Sequence, residues 1–494
     1  MIRALRRLLT RPDLTHEYRK SLVRGSHYPS ISQVRQKLGL AEVMRVKKFR
    51  ERFGGTTEFP QDNYLLEGRV LSIRKAGKGM YFIDIVQDDV NVQVLAANKL
   101  MGISGDEFAE IHGFFKVGDY IAARGYASRT KTGELTLKLN KPVEMLTPCL
   151  NTIPNRMVDR GLINNNRVVN YLVNPASKNP IVIKSKIVQA IRKFLVDREF
   201  LEVLTPILSG QGTGANATPF ITHYKSTPVH LRVAPELWLK RFVIAGFDKV
   251  FEIGSNFRNE GVDLTHNPEF STCEFYQAYT SLEELMEMTE EMFRYVFGVV
   301  GMEVKEFKRY EFLPTLEERT GLAIPDTLEG LVEVHQKLGL EVPPQPNPVK
   351  LLDNLAEVYL ESLCKDHPNT PVFIYNQPEV MSPLAKSTTD ANGNRISSRF
   401  ELFINGREMA NAYEEENNPA EQMRKFKLQQ QMRADSNDQD MLIPDENYLN
   451  VMNYGLPPTG GWGCGIDRLA MLVAGVDRIE EVLSFGNLHS VLKN

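Results

Sequence analysis

The residues best suited to chemistry lie close together near the middle of the chain. An alternating apolar run, Val250 to Ile253, predicts a strand, and a polar loop and a second alternating run follow it. Arg258 ends the first strand, His266 lies in the loop and Phe270 begins the second strand. Arginine binds phosphate, and an aromatic ring offers a flat face to a base. The pattern predicts an antiparallel hairpin that binds a nucleotide, with an ordinary surface hairpin as the alternative.

Two further patterns carry candidate ligands. Glu401 and Glu408 lie either side of the turn Asn405-Gly406. Facing carboxylates form a magnesium site if a triphosphate is near, because Mg²⁺ takes one or two carboxylates and leaves other positions to phosphate. A solvated hairpin is the alternative. Near the C-terminus, clustered glycines at 460–465 precede Arg468 and predict a strand and helix packed closely beneath a ligand.

These stretches resemble the signature motifs of class II aminoacyl-tRNA synthetases. Residues 257–260, Phe-Arg-Asn-Glu, resemble the second motif, and residues 460–469 resemble the third. The flanks at 234–237 and 266–270 look like the lysyl branch. Residues 181–206, an amphipathic helix and then a strand ending in proline, resemble the first motif, which forms the homodimer interface in the family. Glu199 stands where the family commonly has glycine.

The resemblance implies that L-lysine is activated by ATP and then transferred to tRNA(Lys), with Mg²⁺ as cofactor. The catalytic residues that it implies are Arg258, Glu260 and Arg468. The ATP-binding residues are Arg258, Glu260, His266, Phe270, Glu401 and Arg468. The lysine-binding residues are Gly214, Glu236, Arg258, Glu274, Tyr276, Asn411, Tyr413 and Glu415. The magnesium ligands are Glu401 and Glu408.

An acidic pocket is what a lysine side chain requires. Its ammonium needs a carboxylate at the end of the pocket, which the resemblance assigns to Glu415 with Tyr276, and its α-amino group needs another, from Glu236 and Glu274. A neutral side chain would leave a buried carboxylate unpaired, at a cost of several kcal/mol. Tyr413 replaces a phenylalanine that is common in the family.

In residues 61–148, the apolar residues recur at every second position, as they do in β-strands. Five short strands with a helical stretch near 105–115 predict a Greek-key barrel of the OB type. The barrel resembles the anticodon-binding domain of lysyl-, aspartyl- and asparaginyl-tRNA synthetases. The residues that match its anticodon contacts are Arg74, Phe82, Gln93 and Glu134. Burial of Phe82 in the barrel core is the alternative.

The N-terminal region is basic. Residues 1–52 carry 14 Lys and Arg against 4 Asp and Glu, a net charge of +10 in a chain whose net charge is −3. Residues 1–20 include an Arg-rich, acid-free start with apolar residues at helical spacing, which favours a mitochondrial presequence. Residues 21–60 then form a basic helical extension. The preferred location is the mitochondrial matrix, with the cytoplasm as the alternative, and a basic helix touching tRNA is the other interpretation.

The predicted fold class is α+β. An OB-type barrel precedes a catalytic domain at 181–494, which is built on an antiparallel sheet flanked by helices and carries a helical insertion at about 281–370. Residues 149–180 are predicted to be a linker, 30–53 one helix and 382–386 a strand. In the linker the family's usual arginines are replaced at Asn166, Val168 and Asn170.

The amino-acid composition limits the classes of protein to which the chain can belong. The chain has 42% hydrophobic and 24% charged residues, values typical of a globular protein. No stretch approaches the roughly 20 apolar residues that cross a bilayer, so no membrane partner is expected. The 4 cysteines have no metal-site spacing. The rival interpretations are an aspartyl or asparaginyl synthetase, a synthetase-like protein without catalysis, and a simple OB-type binder.

Overall fold

In a computed structural model, the chain forms two compact units, Met1–Met157 and Val158–Asn494. The structure describes residues 28–210, 217–365, 367–436 and 445–493. The predicted presequence at residues 1–20 and the predicted lysine-binding Gly214 lie outside the described residues. Within these ranges, no helix combines the length and apolar character needed to span a bilayer.

The first unit is mostly strand. Its described helices are α1 (Ile31–Leu38), α2 (Val46–Phe53), α3 (Asn98–Met101) and α4 (Gly105–His112). Its strands are β1 (Glu42–Val43), β2 (Tyr64–Lys75), β3 (Met80–Gln87), β4 (Val90–Ala97), β5 (Tyr120–Arg129), β6 (Leu135–Leu139) and β7 (Glu144–Thr147).

Five of these strands close into a ring. They pair in the order β2, β3, β4, β6 and β5, and β2 also pairs with β5. Buried residues at alternate positions fill the interior, among them Leu66, Ile83, Val94 and Leu137. Phe108 of α4 packs against the same cluster. The closed sheet of five strands and the helix near 105–115 that the sequence predicted are therefore both present.

The prediction of one helix over 30–53 is wrong. α1 begins with a capping box formed by Ser30 and Gln33, and it ends at Gly39, whose φ of 79° lies in the left-handed region that favours glycine. β1 then pairs with β2 before α2 begins. Val34 and Phe49 are both buried, so the apolar spacing continues across the break and conceals it.

The second unit alternates helices with a large sheet. Its described helices are α5 (Arg160–Asn165), α6 (Arg167–Val173), α7 (Asn179–Val196), α8 (Glu236–Ile244), α9 (Leu282–Val300), α10 (Phe312–Thr320), α11 (Leu328–Leu338), α12 (Pro348–Tyr359), α13 (Glu361–Lys365), α14 (Pro419–Ser436), α15 (Glu446–Met452), α16 (Ile466–Ala474), α17 (Ile479–Val482) and α18 (Leu488–Val491). Its first strands are β8 (Leu201–Glu202), β9 (Leu208–Ser209), β10 (Ile221–Tyr224), β11 (Thr227–Leu231), β12 (Lys249–Phe257) and β13 (Glu269–Ala278). Its later strands are β14 (Lys308–Glu311), β15 (Val372–Tyr375), β16 (Ser387–Thr389), β17 (Arg395–Ser397), β18 (Arg399–Ile404), β19 (Arg407–Glu414) and β20 (Thr459–Gly465).

An eight-stranded sheet forms the centre of this unit. Its order is β14, β15, β18, β19, β20, β13, β12 and β8. Neighbours are antiparallel except the outermost pair at each edge, β14 with β15 and β12 with β8. Helices α7, α9 and α16 pack on one face, where Ile191, Phe293 and Leu469 join a buried cluster with Phe251 and Phe275. The predicted antiparallel sheet flanked by helices, and the hairpin β12–β13, are confirmed.

Other expectations for this unit need correction. The stretch 281–370 is not wholly an insertion, because α9 contributes Phe293 to the main core and β14 is an edge strand of the sheet. From α10 onwards the apolar residues form a cluster of their own. Residues 149–180 contain α5 and α6, and Val158 already belongs to the second unit.

No strand forms over residues 382–386. Pro383 has no backbone N–H to donate to a ladder, and Ala385 makes only an isolated bridge with Glu415. The strands β16 and β17 form a separate hairpin just after this segment.

Candidate active site

Strands β13, β20 and β19 form the floor of a cleft with a cavity volume of about 250 Å³. Their register aligns side chains in two rows, the first made of Glu274, Gly463 and Asn411, and the second of Tyr276, Gly461 and Tyr413. Because β20 supplies only glycine to both rows, the floor stays open between the side chains of β13 and β19.

The alternation of strand side chains separates this cleft from the core. Phe275 and Trp462 are the next residues along β13 and β20, and they point to the opposite face. Their rings stack there with centroids 5.0 Å apart. A rigid aromatic layer therefore supports the cleft from below.

Arg258 stands where β12 ends. Its backbone N–H donates to the carbonyl of Pro268 at 2.8 Å, which fixes the start of the loop. Its guanidinium lies 5.1 Å from the ring centroid of Phe270. Burial lowers the pKa of Arg258, although Glu260, Glu408 and Glu274 act to raise it. The buried Nε of Arg258 has no hydrogen-bond partner among the described residues, so the cation is available to an anionic ligand.

A chain of polar contacts runs from the hairpin loop to the third motif. Asp263 accepts a hydrogen bond from Nδ1 of His266 at 2.8 Å, and Nε2 of His266 accepts one from Arg468 at 2.7 Å. Arg468 also lies 3.4 Å from Glu408. Asp467 accepts from the backbone of Ser271 at 2.7 Å. These contacts hold charged hydrogen-bond donors along one end of the cleft.

The opposite end of the cleft is acidic. Tyr413 donates to Oε1 of Glu236 at 2.6 Å, and Tyr276 donates to Glu274 at 3.3 Å. Burial and the neighbouring Glu236 raise the pKa of Glu274 to about 8. Burial likewise raises the pKa of Glu415, which lies just after β19. A cation bound at this end of the cleft would favour the ionised forms of these two carboxyls.

A lysine that the sequence analysis overlooked lies among these carboxylates. Lys240 is fully buried on α8, and its Nζ donates to Oε1 of Glu236 at 2.6 Å. It also forms an ion pair with Oε2 of Glu415. Burial alone would lower the pKa of Lys240, but Glu236 and Glu415 raise it. The helical spacing of Glu236 and Lys240 was the sequence signal that could have revealed the pair.

The two predicted magnesium ligands lie on the hairpin β18–β19, whose turn has positive φ at Asn405 and Gly406. Burial raises the pKa of Glu401 to about 7; Arg399 opposes this rise and Glu408 adds to it. Arg399 donates to Glu401 at 2.5 Å and to Asn411 at 3.1 Å, and it was also missed. Among the described residues, no group of three or more His, Cys, Asp and Glu could hold a metal ion.

Most of the predicted site residues come together. Those lining the cleft are Glu236, Arg258, Glu260, His266, Phe270, Glu274, Tyr276, Glu408, Asn411, Tyr413 and Arg468. Glu401 lies beside the cleft, opposite Asn411, and Glu415 is buried behind Gly461. The guanidinium over Phe270 is that of Arg258, whereas Arg468 is engaged by His266 and Glu408.

In the first unit, the predicted anticodon residues share one face of the sheet. Arg74 is paired with Phe82, and its guanidinium lies 5.9 Å from the ring centroid. Gln93 accepts from the hydroxyl of Thr136 at 2.9 Å, and Glu134 lies two residues before Thr136. Phe82 is only half-buried, between the buried Tyr81 and Ile83. The ring therefore does not belong to the interior of the strand ring.

Comparison with protein families assigns both units. Residues 159–489 match the model of tRNA synthetases class II (D, K and N). Residues 64–144 match the OB-fold nucleic acid binding domain. Together the matches include the cleft and the face that carries Phe82.

Relatives of known name extend over nearly the whole chain. The mitochondrial lysine–tRNA ligase of Schizosaccharomyces pombe is 37% identical over 96% of this chain and 93% of its own length. That of Saccharomyces cerevisiae is 38% identical over 94% of this chain and 90% of its own. The lysine–tRNA ligase of Aquifex aeolicus is 34% identical over 93% and 79%. The chain belongs to the class II tRNA synthetases of the D, K and N group, and within them to the lysine–tRNA ligase family.

Proposed function

We propose that the chain is a lysine–tRNA ligase. ATP and L-lysine give lysyl-adenylate and pyrophosphate, and the lysyl group then passes to the 3′ end of tRNA(Lys) with release of AMP. The observation that carries this proposal is the polarity of the cleft, with an available Arg258 near its nucleotide end and Glu236, Glu274 and Glu415 at the other. A substrate with two ammonium groups and one carboxylate matches this arrangement.

In the first step the lysine carboxylate attacks the α-phosphorus of ATP, and the bond to pyrophosphate breaks. Two anions must approach each other, and Arg258 supplies a cation that contacts both. No protein nucleophile is required, because alignment and charge neutralisation account for this chemistry. We assign the catalytic roles to Arg258, Glu260 and Arg468.

The nucleotide end of the cleft fits ATP. Phe270 offers a ring for the adenine, and Arg468, held by His266 and Glu408, lies ready to meet the base or the phosphates. Glu260, exposed beyond β12, would orient the nucleotide. The lysine end fits the amino acid through Tyr276, Asn411 and Tyr413.

The pair Glu401 and Glu408 fits a magnesium ion that ATP brings with it. Burial raises the pKa of Glu401 to about 7, and the charge of Glu408 adds to this rise. A divalent cation between the two carboxylates would offset their mutual repulsion. Such an ion would neutralise phosphate charge. Arg399 would keep Glu401 oriented toward the cleft while the ion is absent.

We also propose that residues 61–148 bind the anticodon and that residues 181–494 catalyse. An unpaired base would stack on Phe82, and Arg74, Gln93 and Glu134 would contact its edge. Homodimer formation is supported by the exposed apolar residues around β8 and β9, among them Leu204, 82% exposed, and Leu208, 53% exposed. The mitochondrial names of two relatives and the Arg-rich N-terminus favour the mitochondrial matrix over the cytoplasm.

The test is ATP–pyrophosphate exchange with each of the twenty amino acids. We expect exchange with lysine alone and its loss in Arg258→Ala, with an unchanged thermal melting profile. Exchange with aspartate or asparagine would show that the chain is a synthetase for that amino acid and not for lysine. No exchange with any amino acid would favour a protein that only binds RNA. Normal exchange by Arg258→Ala would contradict the assigned role of this arginine.

A further inference from the structure

Three carboxylates and one ammonium group share the acidic end of the cleft. Lys240 donates to Glu236 at 2.6 Å and forms an ion pair with Glu415, and its side chain is wholly buried. Lys240 also lies 5.6 Å from the ring centroid of Tyr413 and 6.0 Å from that of Tyr448. Burying a lysine costs free energy unless its charge is compensated. The carboxylates of Glu236 and Glu415 compensate the buried charge of Lys240.

The two oxygens of Glu415 have different surroundings. Oε2 forms the ion pair with Lys240, whereas Oε1 forms neither an ion pair nor a hydrogen bond within the described residues. A Cβ built on Gly461 would lie 2.0 Å from this Oε1 and 2.6 Å from the ring of Tyr276. Gly461 and Tyr276 both line the cleft. The unpartnered oxygen therefore lies directly behind the open floor of the lysine pocket.

From these contacts we infer that Lys240 is a positioning residue for the amino acid substrate: it holds Oε2 of Glu415 in an ion pair and leaves Oε1 to the substrate ε-ammonium. The inference rests on the proposed function. Lys240 opposes the rise in the pKa of Glu415 that burial causes, so its loss would favour protonation of this carboxyl, which would then bind an ammonium group less tightly.

The charges facing Lys240 from each packed element support this role. α8 itself contributes Glu236, and the end of β19 contributes Tyr413 and Glu415. Glu274 of β13 acts on Glu415, not directly on Lys240. From α15, Tyr448 faces it, with Arg241 of α8 5.6 Å from the ring centroid of Tyr448. Lys240 is the cation that contacts both Glu236 and Glu415 within the described part of the chain.

The experiment compares Lys240→Met and Lys240→Gln with wild type, by pyrophosphate exchange over a range of pH. We expect the KM for lysine at neutral pH to rise at least about tenfold, while the KM for ATP stays within about twofold, because the nucleotide contacts lie elsewhere. The acid limb of kcat/KM for lysine should move upward by about one pH unit. Lys240→Arg, which keeps the charge, should retain the wild-type limb.

Lys425→Met is the matched control. Lys425 is also buried and donates to the carboxylate of Glu416 at 2.8 Å, next in sequence to Glu415, but its ion pair is with Glu416 and not with Glu236 or Glu415. Its loss should lower the melting temperature without moving the pH profile. The Gln variant keeps a hydrogen-bond donor at position 240, so it provides the readout if the Met variant fails to fold.

A folded Lys240 variant with an unchanged or lower KM for lysine and an unshifted acid limb would overturn the inference. The same shift in Lys425→Met would also overturn it, because it would reflect general loss of packing. Wild-type protein without lysine-dependent exchange would instead reject the proposed function, so the two failures are distinguishable.

Discussion

At the scale of single residues, Glu274 links substrate binding to protons. Burial and Glu236 raise its pKa to about 8, so at pH 7 the carboxyl of the ligand-free protein is mostly protonated. An incoming α-ammonium favours the ionised form and lowers this pKa. If Glu274 binds lysine as we propose, we expect binding near pH 7 to release a proton from Glu274, and we expect this release to shrink as the pH rises past 8.

We predict that titration calorimetry of lysine binding at pH 7 gives apparent heats that change with the ionisation enthalpy of the buffer, with close to one proton released. In Glu274→Gln this dependence should disappear, although weak binding remains. Equal heats in all buffers for the wild type would contradict the raised pKa of Glu274.

The same raised pKa has a consequence for folding. Between the ordinary value near 4.5 and about 8, the folded chain holds a proton on Glu274 that the unfolded chain has lost. Stability from this group therefore falls as the pH rises through that window. The cleft is less stable when empty at alkaline pH, and lysine offsets that loss.

At the scale of elements, strand β20 keeps the floor of the cleft open because Gly461 and Gly463 have no side chains. A Cβ on Gly461 would meet Oε1 of Glu415 at 2.0 Å, whereas a Cβ on Gly463 would meet nothing closer than 3.5 Å. Both glycines occupy cleft rows of the same strand, so they form a matched pair for substitution.

We predict that Gly461→Ala raises the KM for lysine by about tenfold or more, because the new methyl group displaces Glu415 or Tyr276. Gly463→Ala should have a much smaller effect. Pyrophosphate exchange with varied lysine measures both. Equal effects of the two substitutions would show that loss of glycine flexibility, and not the collision with Glu415, is responsible.

The connection between α7 and β8 contains a strained residue. Glu199 has a φ of 66°, in the left-handed region where glycine is favoured, and it stands where the family commonly has glycine. We predict that Glu199→Gly stabilises the second unit by about 1 kcal/mol and raises its melting temperature by about 2 °C. Glu199→Ala, which removes the carboxylate but keeps the strain, should give no gain in thermal unfolding.

Elements with strong local signals were predictable from the sequence. The hairpin β12–β13 and the closed strand ring follow from alternation and turn residues, and the cleft residues follow from motifs on those elements. The break at Gly39 was not predictable, because apolar spacing continues through it. Lys240 was missed although Glu236 lies one helical turn away, because its second partner, Glu415, is brought near only by tertiary packing. Arg399 likewise meets Asn411 only through the pairing of β18 with β19.

At the scale of the whole molecule, the two compact units divide the work that we propose. In this proposal, amino acid activation uses the cleft of the second unit, and tRNA recognition uses the face around Phe82 in the first. A substitution on that face should therefore separate the two steps of the reaction.

We predict that Phe82→Ala leaves pyrophosphate exchange unchanged and raises the KM for tRNA in aminoacylation by about tenfold, since stacking on an aromatic ring contributes about 1–3 kcal/mol per base. Tyr120→Ala, an exposed aromatic paired with Arg69 on the same sheet, is the control and should leave both measurements near wild type. Unchanged aminoacylation by Phe82→Ala would show that this ring does not contribute to tRNA binding.

The aromatic layer beneath the cleft gives the protein an optical reporter of its own. The chain has 2 tryptophans. Trp462 stacks on Phe275 between the two floor glycines, and Trp238 lies on α8 between Glu236 and Lys240. Both indole rings are thus within a residue or two of the groups that meet the amino acid. We therefore expect their intrinsic fluorescence to report occupancy of the pocket without any attached dye.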